Sequence, residues 1–212
     1  MGQPGSAKRG RYHHGDLAAA LVDAAIEVIG ERGVHGFSMA EASRRLGVAV
    51  SAPYAHFADR DDLLAAVAVR ACEVFYREIL QEIGQARDPA DRLAAIARCY
   101  VRFAGFNRPL FEVLFTGRID KRGHPEVEEA ERPLNDTLLE CVRAVSGEDP
   151  LSSDDLATAA EAAAHGHAMM LLDGDFGDGD AAIEDAAQRA SAATLALIEG
   201  RRLLSRRSGP RT

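Results

Sequence analysis

The chain has 212 residues, 47% of them apolar and 27% charged, enough for one compact domain or a small one joined to a larger. No apolar run approaches the ~18 residues of a membrane span, and the first twelve residues carry charge without the apolar core of a signal peptide. A net charge of −8 argues against indiscriminate nucleic-acid binding, while three widely spaced cysteines, Cys72, Cys99 and Cys141, read as free thiols in a reducing cytoplasm rather than disulfides or a zinc site.

Residues 1–12 combine Gly, Pro and Ser with Lys8, Arg9 and Arg11 and show no apolar periodicity, the pattern of a disordered basic arm. Leu17, Leu21, Ala24, Ala25, Val28 and Ile29 then recur at helical spacing from Asp16 to about Gly33. Ser38 to Phe57 reads as two short helices meeting at a glycine. Ser38 is an N-cap with Glu41 three residues on, a capping box. Met39, Ala42 and Leu46 share one face, and Gly47 ends the helix in a left-handed conformation. The second short helix is expected to start at Ser51 as N-cap, with Pro53 in its first turn, and to run through Tyr54 and His56. A helix, a tight turn and a second helix is the unit that presents its second member to a DNA major groove. Val50, Ser51, Ala52 and Ala55 would then meet base edges with few hydrogen-bonding groups, so sequence would be read through thymine methyls and DNA shape. Tyr54 and His56 would hold phosphates, flanked by Ser38, Arg44 and Arg60. The first 67 residues carry a net charge of −1 and the other 145 carry −7, so affinity has to come from locally placed cations.

Ser38 to Leu64 also resembles the DNA-binding signature of the TetR family of bacterial transcription regulators. The shared marks are the Ser38 cap, Gly47-Val48, the aromatic group Tyr54, His56 and Phe57, and Arg60 ahead of Asp61, Asp62, Leu63 and Leu64. Upstream, Arg11 to Leu17 (RYHHGDL) is similar to the entry of the first helix in one branch of that family. The resemblance covers about the first 65 residues. It implies a three-helix, helix-turn-helix DNA-binding domain followed by a larger helical domain that binds an effector and pairs two chains.

Asp59 caps a long helix over about 60–84, the natural lever between the N-terminal module and the C-terminal two thirds of the chain. Asp88-Pro89 opens another that ends at Asn107-Arg108-Pro109, and PLFEVLF forms a short helix to Phe115. Residues 116–125 are a loop, and a helix from Pro125 to about Ser146 should kink or split at Pro133. Two alanine-rich helices, about 153–173 and 180–205, precede an Arg-rich tail at 206–212. All elements are helical, giving an all-α chain divided as arm 1–12, DNA-binding domain 13–60, effector and dimerisation domain 61–205, and tail 206–212.

On the last two helices the stripe Leu156, Ala160, Ala163, His167 and Met170, and the stripe Ala187, Ala190, Thr194 and Leu197, suit close packing of two chains into a four-helix bundle. Tyr100, Phe103, Phe106, Phe111, Phe115, His165 and Met169 could line a mostly apolar pocket. His165-Gly166 is similar to a Trp-His-Gly motif of one TetR branch, with the tryptophan absent here.

The run Asp173 to Asp185 fails the calcium-loop pattern, because Gly177 and Asp178 stand where Asp/Asn and Gly are required. His165 and His167 point apart on a helix, and no nucleophile, metalloprotease, phosphate-loop or dinucleotide motif occurs. The sequence therefore implies no metal, no cofactor and no catalysis. The expected protein is a cytoplasmic homodimer on double-stranded DNA, a repressor released from a palindromic operator by a small apolar effector. The alternative is a regulator of the same fold governed by a protein partner or acting architecturally.

Overall fold

A computed structural model describes residues 14–115, 117, 119–147 and 150–204. The basic arm, the tail and parts of the loops after Phe115 and Gly147 lie outside the described residues. Eight α-helices and one 3₁₀ turn account for the regular structure among them: α1 (His14–Gly36), α2 (Met39–Leu46), the turn Ala52–Ala55, α3 (Arg60–Ile83), α4 (Pro89–Phe106), α5 (Arg108–Phe115), α6 (Pro125–Ser146), α7 (Pro150–Leu172) and α8 (Asp180–Leu204). The described part of the chain is all-α, as its periodicity implies.

Most boundaries follow from caps that the sequence spells out. Asp59 accepts the backbone N–H groups of Asp61 and Asp62, and Asp88 that of Asp91 with Pro89 in the first turn. Gly33 takes φ 70° and ψ 169°, a conformation open essentially only to glycine, and breaks α1 at the expected place. α6 continues through Pro133 as one helix, so the expected split is absent. Pro133 lacks only one ladder bond, and Val127, Cys141 and Val142 bury on either side of it.

One cluster of buried side chains runs from Leu21 in α1 to Ile198 in α8. α3 belongs to both ends of it. Leu63, Leu64, Val67 and Ala71 in its first half pack with α1, whereas Phe75, Ile79 and Ile83 in its second half enter the larger helical part. α4 buries apolar side chains around much of its circumference, because α3, α6, α7 and α8 surround it. Gly105 is the reason α8 comes so close: a Cβ there would lie 2.7 Å from Cγ1 of Ile183. Gly105→Val is expected to cost about 1–3 kcal/mol through overpacking, read as a lower unfolding midpoint in denaturant with an unchanged slope.

Across the same contact, Arg102 forks onto Glu184 of α8 (2.6 and 2.9 Å) and also bonds Glu82 of α3. Arg98 bonds Glu82 (3.2 Å) and the Ser191 hydroxyl (3.2 Å). These ties fasten the end of α3 to α4 and, through it, to α8. The three cysteines are free and buried, and burial pushes the Cys72 thiol up to about 12 and those of Cys99 and Cys141 upward as well.

The face expected to meet a second chain needs correction. Leu156, Ala160, Ala187, Ala190 and Thr194 are at most 4% exposed, packed within their own chain. Period alone marks a stripe without saying which neighbour covers it. Ala163, His167 and Leu197 are half-buried, and Met170 is 45% exposed. The open face lies one step round each helix: Ala162, Gly166 and Met170 on α7, with Ala192, Leu195 and Ala196 on α8.

Candidate functional site

The first site is the outer face of the helix pair. The Ser38 hydroxyl accepts the Glu41 N–H (3.3 Å), and Gly47 closes α2 at φ 67°. Only half of the expected capping box forms. The Glu41 carboxylate turns instead to Arg32 (3.2 Å) and Arg44 (2.6 Å), where two cations outweigh one backbone N–H. Arg45 is not free either: it donates to Glu27 (3.2 Å) and Glu31 (2.5 Å), pinning α2 on α1, and this bond holds the Glu31 carboxyl below the usual range.

The second short helix is smaller than the sequence suggests, a single 3₁₀ turn over Ala52–Ala55. Ser51 stands at the N-cap position with Pro53 in the first turn, as expected, but it has helical backbone angles and makes no side-chain cap. With neither a capping hydroxyl nor a succeeding run of helix formers, the segment gains too little to propagate further. Pro53 is buried and Phe57 packs partly against the core, so the turn is anchored from beneath. What projects outward is Val50 (52% exposed), Ser51, Tyr54 (57%) and Ala55, with Ala52 and His56 half-buried.

Ser38 and Arg44 flank that face and are exposed. Arg60 is placed differently from the expected phosphate ligand. Its Nε donates to the Phe37 carbonyl (3.2 Å), one terminal nitrogen to that of Val34 (2.6 Å) and the other to Asp61 (3.2 Å), with the guanidinium 5.7 Å over the Phe37 ring. Arg60 straps the start of α3 to the end of α1. This role is hidden in the sequence because the two carbonyls it satisfies are more than twenty residues away.

The second site is a cavity of about 320 Å³ between α3, α4, α6 and α7. Its floor is Cys72, Phe75 and Ile79 of α3 with Ile96, Ala97 and Tyr100 of α4; Leu134 and Leu138 of α6 and Ala160 and Ala164 of α7 form the sides. Lys121, Glu131, Asn135 and Glu161 line it too, and each carries a polar end. Two of the seven expected lining residues, Tyr100 and Phe115, are there. Phe103 and Phe111 are fully buried behind them, Phe103 stacked on Phe75 at 4.7 Å and Phe111 edge-on to Tyr100 at 5.5 Å. Phe106 is 53% exposed at the end of α4, and Met169 packs on the core outside the cavity. His165 backs the wall, its Nδ1 2.8 Å from the Tyr100 hydroxyl. Burial raises the Tyr100 pKa, so its phenol stays protonated.

The α6 wall is not apparent from aromatics clustered in sequence, which lie on α4 and α5. The pair Leu134 and Leu138, four residues apart beside Asn135, is the signal that could have found it. A loop runs between the two sites. Lys121 is ion-paired with Glu131 (2.5 Å), and three residues along the same loop His124 Nδ1 lies 3.3 Å from Glu126 and 3.6 Å from Asp62. The other oxygen of Asp62 accepts the Ala58 N–H (2.7 Å), just beyond the 3₁₀ turn. Among the described residues, no cluster of three or more His, Cys, Asp or Glu could hold a metal ion, and no helix is long and apolar enough to cross a membrane.

These features meet their counterparts in known proteins. Residues 21–67 match the model of bacterial regulatory proteins of the tetR family, and residues 93–194 match the tetracyclin repressor-like C-terminal domain. No curated protein matches the chain in sequence. A structure from Rhodococcus sp. RHA1, of a protein with unknown function, is 27% identical with a TM-score of 0.72, covering 88% of this chain and 97% of that one. The transcriptional regulator FadR from Bacillus subtilis, solved in complex with stearoyl-CoA, is 18% identical with a TM-score of 0.65, over 85% and 96%. A TetR-like transcriptional regulator from Rhodococcus sp. RHA1 is 18% identical with a TM-score of 0.67, over 90% and 100%. With a helix-turn-helix at one end, a helical domain at the other and a family model matching each, the chain belongs to the TetR family of bacterial transcriptional regulators.

Proposed function

We propose that the protein is a cytoplasmic, non-enzymatic homodimer that represses transcription from a palindromic operator and is released by a small, mostly apolar effector. The observation that carries this reading is the double membership of α3. Its first half holds the DNA-facing module, and its second half is the floor of the cavity. A ligand pressing on Phe75 or Ile79 therefore acts on one end of a rod about 36 Å long at 1.5 Å per residue. The outer face contributes Val50, Ser51, Ala52, Ala55, Tyr54 and His56 to the duplex, with Ser38 and Arg44 beside them. Arg60 positions these groups rather than touching phosphate.

Two chains set their recognition turns in successive major grooves about 34–36 Å apart, so a tilt of a few ångströms at each α3 misaligns one half-site. The loop bearing Lys121 and His124 supplies a second route from the cavity to the turn at Ala58. In either route the ligand shifts the equilibrium only by its differential affinity for the two spacings. Stearoyl-CoA and resorcinol are ligands of neighbours at most 22% identical, and they support ligand response in general rather than either compound here.

A gel shift on the DNA flanking the protein's own gene tests the reading. The parent is expected to bind, and Tyr54→Ala with Arg44→Ala is expected to weaken binding by about tenfold or more while the dimer persists. Binding unaffected by both substitutions contradicts the contact assignment. Thermal-shift screening that finds no stabilising small molecule favours the alternative, a regulator of this fold governed by a protein partner.

A further inference from the structure

The charge at the cavity selects among effectors. Among the described residues, its ionisable lining consists of Cys72, Tyr100, Lys121, Glu131 and Glu161. Burial keeps the thiol and the phenol neutral. The single cation among the described lining residues, Lys121, is already neutralised by Glu131 at 2.5 Å. Glu161 is left exposed on α7 with no ion-pair or hydrogen-bond partner among the described residues, and its negative charge is felt at Tyr100. The same cavity is lined by the ring of Phe115, 39% exposed and 4.9 Å from that of Tyr100. An aromatic face and an unpaired carboxylate over an apolar floor attract a cation from two sides. A carboxylate or phosphate head would have to part Lys121 from Glu131 and then face two like charges.

Building on the effector-binding reading above, we propose that the cavity takes a lipophilic cation, an amine or quaternary ammonium with a short apolar body, whose charged end rests between Glu161 and Phe115. The apolar body occupies the space over Phe75, Ile79 and Ile96. The volume of about 320 Å³ lies at the small end of ligand pockets, so a short chain or a single ring system fits better than a long acyl chain.

The test uses the full chain and three probes of one apolar length: octyltrimethylammonium, 1-octanol and octanoate, titrated calorimetrically. The ammonium is expected to bind at least about tenfold more tightly than octanoate, with 1-octanol between them. In Glu161→Gln the ammonium should lose most of its advantage over 1-octanol, while 1-octanol binds as to the parent. Glu161 is exposed, so the variant should melt at the parent's temperature. Octanoate binding as tightly as the ammonium, or an ammonium preference that survives in Glu161→Gln, overturns the proposal. If 1-octanol binds and head charge makes no difference, the cation inference falls and the effector cavity stands. If none of the three binds, both fall.

Discussion

Ala162→Glu combined with Leu195→Glu is expected to convert the protein to a monomer and to weaken operator binding by about 10²–10⁴-fold, the usual scale of a lost second attachment. Both residues lie on the open face of α7 and α8, where Leu195 is 39% exposed and Met170 45%. A Cβ on Gly166 would meet nothing within 4 Å, and its neighbours on that face are largely alanines, so a second pair of helices can approach closely. In a two-fold interface each substitution appears twice, and four carboxylates would be brought together without partners. Because neither side chain belongs to the chain's own core, the monomer should keep its helix content. Sedimentation and a gel shift check the two halves of this expectation. A variant that stays dimeric places the pairing surface elsewhere, and a monomer that binds the operator as tightly as the parent removes the need for two half-sites.

Phe103→Ala is expected to destabilise the chain by about 3–5 kcal/mol, the range for a large aromatic removed from a closed core. Phe103 is fully buried and stacks on Phe75 at 4.7 Å. For a chain of this size, the loss corresponds to a fall of roughly 6–20 °C in thermal midpoint. Protein concentration has to be held fixed in the comparison, since the proposed pairing of two chains would contribute to the midpoint. Phe75 is also part of the cavity floor, so the substitution should weaken the binding of any apolar ligand as well. A midpoint within a degree or two of the parent would mean that the α3–α4 contact contributes little to the core.

Caps, breaks and buried stripes are legible in the sequence because they are local. Ser38, Gly47, Asp59, Asp88 and Pro89 act on backbone groups within a few residues, and each does so here. Long-range partners are not written locally. Arg60 lies in a DNA-binding signature, yet its donors are taken by carbonyls at the end of α1. Glu41 completes a capping pattern in sequence, but two arginines compete for it in space. On the C-terminal helices, periodicity finds the stripes, whereas only the packing of α4 and α8 around Gly105 shows which stripe is already covered. The cavity is half visible for the same reason. Aromatic residues near one another in sequence form its backing, and the polar groups that give it chemical character come from the loop and from α6 and α7.

Selection of bound duplexes from a random-sequence DNA pool puts the two-fold, groove-matched mode of binding to its most direct trial. The expected result is enrichment of a palindrome whose half-site centres lie about 10 base pairs apart, bound by two chains, with the enrichment lost for Tyr54→Ala. Enrichment of a single asymmetric site by one chain, or a palindrome still recovered equally well with Tyr54→Ala, would contradict it.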